Sequence, residues 1–411
     1  MGEGAPHRVC VVAGPADTGG ASRALGLSDT AHDSDDVRIP AWTPPLFFDS
    51  AAGLPPKPAT VTWLTAAMET AWADPLGRHA PAARSRAVLD QSRARFAAAL
   101  GCQPHEIWFA TSAEQALSRA VQAVCAAAPA DLHVLTSPVE RLSLLQTLDV
   151  VAEDRPVTQL PVDSWGRVDP EASPLALPAA AVLVQAANRE IGTRQPLTAV
   201  AQSRAGRATL VVDATAVRCP GDVPGDWDVL VLDPMMWGGP DGIAVMACRS
   251  GVPWRARRPA TAQQRFLGRS SPALAATAAM SLPVREDEQE EARLAALVER
   301  LAARLARDVP HVVRHGHPTE RLSYLLAVSL LYVNAEQLVD DLTVRGFAVH
   351  SGSACSSEIN RPSHVLSAIG ALTGGNLRIS LPPGCPQREV DALADSVAAL
   401  VAQQRRDVGL A

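Results

Sequence analysis

Two side chains stand where their type and setting could do chemistry. Cys355 lies in Ser351-Gly352-Ser353-Ala354-Cys355-Ser356-Ser357, a run of small residues suited to a mobile loop that presents a thiol. A thiolate in such a loop is a nucleophile for sulfur exchange. Lys57 is the single lysine among 37 Lys and Arg residues. Arginine stays protonated and forms no imine, so amine chemistry must use Lys57 or not occur. Its place after Gly53-Leu54-Pro55-Pro56 reads as an exposed helix start.

Other candidates fall away on spacing. His311, His315 and His317 match no zinc-ligand signature and sit in a strand end or loop, so no metal is expected. The glycine-rich stretch Gly14–Ser22 lacks the Gly-Lys-Ser/Thr ending of a phosphate loop. Seven cysteines at 10, 102, 125, 219, 248, 355 and 385 form no C-x-x-C and leave an odd one over, against a disulfide framework. The chain has 411 residues, 47% hydrophobic and 19% charged, with net charge −6 and no basic run, which excludes nucleic acid as a main partner. No secretory leader and no apolar run of about 18 residues is visible, so a cytoplasmic protein with no membrane contact is expected.

These candidates must be held by an α/β scaffold. Residues 87–100 and 113–128 repeat apolar positions at helical spacing, and a further helix is expected from near Glu140. Between such segments stand short apolar runs rich in β-branched residues: Asp131–Ser137, Ala180–Asn188, Ala208–Thr215 and Asp228–Asp233. The alternation predicts a mostly parallel, seven-stranded-type sheet covered on both faces. Residues 286–308 predict an amphipathic helix, acidic at its start and basic at its end, with Leu294, Leu297, Leu301 and Leu305 as its buried stripe. Strands over 324–333, 347–355 and 377–381 follow. The division is 1–44 as an extension with a short strand near His7–Gly14, 45–255 as a large domain and 256–411 as a smaller α+β domain.

Read in order, the segments resemble the cysteine desulfurases, class V aminotransferase-fold enzymes that depend on pyridoxal phosphate (PLP). The resemblance runs over residues 45–405. It rests on Phe47–Pro56, Glu106–Ala116, Leu135–Leu145, Asn188–Leu197, Val211–Val217, Asp233–Met246, and the Cys355 loop with Pro362–Gly370 and Asn376–Leu381. It implies the PLP-dependent transferase fold (fold type I), usually a homodimer. It also implies that Cys355 takes sulfur as a persulfide, that Arg378 binds the substrate carboxylate, and that Asp213 faces the pyridine nitrogen. Asn188 and Arg141 join Arg378 as implied substrate-binding positions, Arg141 standing where the family stacks a histidine on the cofactor.

The departures gather at the implied cofactor site. Met236 stands at the position of the Schiff-base lysine and Met235 at that of the preceding histidine. A thioether neither forms an imine nor moves a proton. Glu114 and Asp233 replace small hydroxyl residues beside the phosphate, and Ala216 replaces a glutamine. Met235, Met236 and Trp237 are expected to fill space, and Glu114 with Arg141 to form an ion pair. From these residues no cofactor is expected. The reading is a desulfurase-like protein without the PLP lysine, acting as a persulfide carrier through Cys355, with a sulfur-donor desulfurase and an acceptor protein as partners. The alternatives are a non-catalytic partner or regulatory subunit, an enzyme with a new reaction in the remodelled pocket, and an ordinary PLP-dependent desulfurase.

Overall fold

Short buried strands alternating with helices build one large sheet, because each strand end feeds a helix that returns across a sheet face. A computed structural model describes residues 45–411 except 152, 207, 256–265, 268–270, 284–286, 353–361 and 411, and only the backbone of 266–267. The expected strand near His7–Gly14 and the tip of the Cys355 loop lie outside the described residues.

The chain opens with β1 (Leu46–Phe47), α1 (Pro58–Thr70) and α2 (Ala80–Leu100), which ends where Gly101 takes the left-handed conformation at φ 60°. Then come β2 (Ile107–Ala110), α3 (Ala113–Ala127), β3 (His133–Thr136), α4 (Leu142–Val151) and β4 (Val157–Gln159). They are followed by β5 (Ala179–Gln185), α5 (Leu197–Ser203), β6 (Thr209–Asp213), β7 (Val229–Leu232), β8 (Ala244–Cys248) and β9 (Phe266–Leu267). The sheet order is β4-β3-β5-β6-β7-β8-β2-β9. Neighbours from β4 to β7 are parallel, and β8 runs antiparallel to both β7 and β2. The mostly parallel sheet is as read from the sequence, with β9 as an added two-residue edge.

Every residue of β5, β6, β7 and β8 is buried. Alternate side chains divide between two cores: Val182, Val184, Val212 and Leu230 enter one, and Ala181, Leu183, Val211 and Val231 the other. That division by period two is why these runs read as continuous apolar stretches. Parallel strands leave all their C-terminal ends on one edge, so the turns after β3, β5, β6 and β7 meet there.

The rest of the chain forms α6 (Pro272–Ser281), α7 (Glu288–Asp308), β10 (Val312–His315), β11 (Leu325–Leu330), α8 (Ala335–Val344), β12 (Phe347–Ala348), α9 (His364–Ala368), β13 (Asn376–Ser380) and α10 (Gln387–Asp407). A three-stranded antiparallel sheet, β10-β11-β13, packs under α7, α8 and α10. Helix α7 is capped by Asp287 and buries the four leucines of its predicted stripe. The strand expected over 347–355 is shorter: Phe347–Ala348 pairs with β1, and His350 alone bridges to Arg378. His315 turns inward to Ser329 Oγ at 2.6 Å, whereas His317 Nδ1 accepts from the backbone N–H of Thr319 and Glu320. No helix among the described residues is long and apolar enough to cross a membrane.

Arg218 ties the two sheets together beneath the strand ends. It donates to Ser50 Oγ at 2.6 Å and to the Leu381 carbonyl at 2.9 Å, and its guanidinium lies 3.4 Å from the centroid of the Tyr324 ring. Tyr324 Oη in turn donates to the Ala216 carbonyl at 2.7 Å. Arg218→Ala removes a desolvated cation–π contact and its hydrogen bonds together, and should cost about 3 kcal/mol in urea unfolding. Arg218→Ala combined with Tyr324→Leu should cost less than the sum of the two single substitutions.

Candidate functional site

Asp213 ends β6 and is buried, so its carboxylate requires partners. Arg141, in the turn between β3 and α4, provides the main one: its Nε donates to Asp213 Oδ2 at 3.2 Å. The same guanidinium donates to Glu114 Oε1 and to Thr215 Oγ1. The Thr215 backbone N–H donates to Asp213 Oδ1 at 2.9 Å. Burial works against the charge on Asp213, but Arg141 and the Thr215 hydrogen bonds prevail and hold the carboxyl below its usual range. Glu114 follows the same logic in the first turn of α3: burial opposes ionisation, and Arg141 overcomes it. The helix expected from near Glu140 starts instead at Leu142, because Glu140 and Arg141 stay in the turn where Arg141 meets Asp213.

A second pair lies alongside. Arg189 Nη2 approaches Asp233 Oδ2 at 3.9 Å, and Arg189 also donates to the Thr215 carbonyl. Burial pushes the Asp233 carboxyl above its usual range in spite of Arg189. Asp233 Oδ1 accepts from the Met235 N–H at 3.1 Å and so caps the turn Pro234–Trp237. Met236 and Trp237 are core residues, and Trp237 Nε1 donates to Ser281 Oγ at 3.2 Å. Met235 lies over Gly53, where a Cβ would stand 2.9 Å from Met235 Cε, at a φ of 145°. Lys57 is exposed at the start of α1, and a Cβ on Gly238 would meet its Cγ at 3.1 Å, so its stem crosses the turn just after Met236.

Arg378, on β13, is 7% exposed and donates to Asp49 Oδ1 at 2.7 Å. Its buried Nε has no partner among the described residues. His350 pairs with it through the backbone, at 3.2 and 2.8 Å. Burial and then Arg378 push the His350 imidazole down to about 4. Glu190 accepts from the Ser363 hydroxyl, and burial raises its carboxyl to about 7.

The residues read from the sequence therefore fall into groups. Arg141, Asp213 and Glu114 meet in one network, with Asp233 beside it. Arg378 belongs to a neighbouring group with Asp49, and is not paired with Glu114 or Asp233. Asn188 is turned to a framework role: its Nδ2 donates to the Val139 carbonyl at 3.0 Å, and its Oδ1 accepts from the N–H groups of Glu190 and Ile191, each at 2.8 Å. Ala216 is buried against Tyr324. Cys355 lies outside the described residues. Sequence reasoning missed Arg189, Thr215, Asp49 and Glu140. Arg189 had a signal, because it lies in Asn188–Leu197, one of the segments that carry the resemblance; the others are ordinary turn residues until the fold gathers them.

The model of the aminotransferase class-V family matches residues 46–260. Cysteine desulfurase IscS of Methanosarcina thermophila is 27% identical over 390 residues, covering 91% of this chain and 96% of that protein. Cysteine desulfurase NifS of Azotobacter vinelandii is 32% identical over 317 residues, covering 73% and 78%. A solved NifS-like protein superposes with a TM-score of 0.78 at 22% identity, over 87% of this chain and 99% of that one, and shows the fold.

These relatives overturn the expectation of no cofactor. Cysteine desulfurases use PLP, so PLP is the cofactor to expect of this chain. The reading from Met236 went too far because a lysine makes one covalent bond, whereas the ring and phosphate of the cofactor are held by separate contacts. The residues that would make those contacts are Asp213, for the ring nitrogen, and the N-terminus of α3, for the phosphate. Arg141 engages Asp213, and it also pairs with Glu114, which stands in the first turn of α3. A bound cofactor would take the place of Arg141 at Asp213 and of Glu114 at the start of α3.

Glu140 provides a test of the electrostatics. Its side chain is fully buried and raised to about 8, by burial and by the nearby Asp213 against the opposing Ser137 hydrogen bond. An acid whose folded pKa is raised contributes most below its unfolded value, near 4.3, and that contribution falls as pH rises toward 8. Glu140→Gln should flatten the decline of the thermal midpoint between about pH 5 and 8. An unchanged slope would mean that Glu140 ionises normally.

Proposed function

Because the chain belongs to the cysteine desulfurase branch of the aminotransferase class-V family, we propose that it works in sulfur transfer with Cys355 as its persulfide-carrying residue. The observation that carries this reading is the state of the five described cysteines. Burial pushes the thiols of Cys102 and Cys385 up to about 11 and raises Cys125, while Cys219 and Cys248 are buried in the core. Thiols held protonated are poor nucleophiles. Of the two cysteines outside the described residues, Cys10 and Cys355, it is Cys355 that stands in the glycine- and serine-rich segment on which the resemblance rests.

The exchange balances without an outside oxidant. The Cys355 thiolate attacks the outer sulfur of a donor persulfide, the donor's S–S bond breaks, and the donor leaves as a thiolate while Cys355 holds the sulfur. Arg378 would bind a carboxylate of an amino-acid substrate by releasing Asp49. PLP, when bound, supplies the electron sink that loosens the bonds of an amino acid, with Asp213 at its ring nitrogen and the start of α3 at its phosphate. A second reading, that the chain itself takes sulfur from cysteine, is favoured by the names of its relatives.

Intact-protein mass spectrometry separates the readings. The chain is incubated with an active cysteine desulfurase, PLP and L-cysteine, beside Cys355→Ser and a control without the second enzyme. A gain of about 32 Da that disappears in Cys355→Ser and in the control is the expected result. Loading without the second enzyme would establish the desulfurase reading. No loading under any condition would overturn the carrier and leave the role of a binding subunit.

Partners follow from the same reading: a sulfur donor, an acceptor, and a second copy of the chain. Val61, Met68 and Trp72 are 46%, 60% and 69% exposed along α1 and its end, an apolar stripe that supports a homodimer. Trp72→Asp should lower the mass seen by light scattering from that of two chains to that of one.

A further inference from the structure

The side chains engaged at the two cofactor seats match the cofactor charge for charge. Arg141 brings a planar cation to Asp213, with Nε at 3.2 Å, where a pyridinium would neutralise the same carboxylate. Glu114 brings an anion to the first turn of α3, where its carboxylate accepts from Arg141. The N–H groups at the start of a helix are what hold a phosphate. The two side chains are joined to each other, as the ring and phosphate are joined in PLP. Glu114 is 49% exposed while Asp213, beneath it, is 5% exposed, so the pair opens from the solvent side.

We propose that Arg141 and Glu114 form a displaceable plug, a side-chain pair that occupies the cofactor's two charged seats until PLP displaces it. This rests on PLP being the cofactor and is independent of whether Cys355 carries sulfur. Binding is then a competition. A pyridinium must replace Arg141 on Asp213, and a phosphate must settle where Glu114 repels it. Each half of the plug opposes a different half of the ligand.

That separation is the test. Calorimetric titrations use the Cys355→Ser protein and, in the same background, Arg141→Gln and Glu114→Gln. The titrants are pyridoxine phosphate, which lacks the aldehyde and cannot react with Lys57, pyridoxine, and inorganic phosphate. Arg141→Gln should bind pyridoxine phosphate and pyridoxine about tenfold more tightly, and inorganic phosphate no more tightly. Glu114→Gln should bind pyridoxine phosphate and inorganic phosphate about tenfold more tightly, and pyridoxine no more tightly. A structural role alone would not sort the ligands in this way. Weaker binding of pyridoxine phosphate by Arg141→Gln would show the guanidinium supporting the ring, and would overturn the plug. So would unchanged affinity in a folded variant, or no binding by any variant. Should Arg141→Gln fail to fold, the Glu114→Gln titration decides, since that side chain is half exposed. Sulfur loading at Cys355 plays no part in the readout, so its failure leaves this result standing.

Discussion

A carboxylate buried at the end of a central strand governs the arrangement of this site. Asp213 cannot remain charged at 5% exposure without a cation, and Arg141 meets that need from the turn after β3. Removing either partner from such a pair typically costs about 3–5 kcal/mol, because the other is left charged and dry. The turn that carries Arg141 is therefore held firmly. The Val139 carbonyl, two residues earlier, accepts from Gln185 Nε2 at 2.7 Å and from Asn188 Nδ2 at 3.0 Å. Three parallel-strand ends thus converge on one ion pair, which is the physical form taken here by the rule that sites gather at one edge of an open α/β sheet.

The departures from the family pattern compensate one another. Glu114 adds a negative charge and Arg141 a positive one that answers it; Asp233 adds another, and Arg189 approaches it. Where burial prevails over the nearby partners a carboxyl is pushed up, as at Glu140 and Glu190. The pairing keeps Glu114 and Asp213 ionised. The result is a pocket with its own internal counter-ions, in a chain whose relatives are PLP enzymes.

The smaller sheet supplies a second centre of charge. Arg378 is anchored on β13 and held by Asp49 near the start of the chain's described part. The Asp49–Ser380 bridge, the bond from Ala51 N–H to Ser380 Oγ at 2.8 Å, and Arg218 on Tyr324 all fasten that opening segment to the small sheet. The loop bearing Cys355 departs from His350, the backbone partner of Arg378.

Much of the architecture was legible along the chain. The apolar runs at β5, β6 and β7 and the leucine stripe of α7 are periodic signals, and burial follows period directly. Motif order pointed to the family, and the unusual residues at 114, 141, 233 and 236 marked where the site departs from it. Met236 misled about the cofactor, since one side chain speaks to one covalent bond and not to the other contacts that hold a ligand. What only the tertiary structure decided was pairing. Arg141 and Asp213 are 72 positions apart, and Arg378 and Asp49 are 329 apart. No local pattern encodes which arginine meets which carboxylate over such separations; that choice is made where strand ends and turns converge, and where burial leaves each charge with few partners in reach.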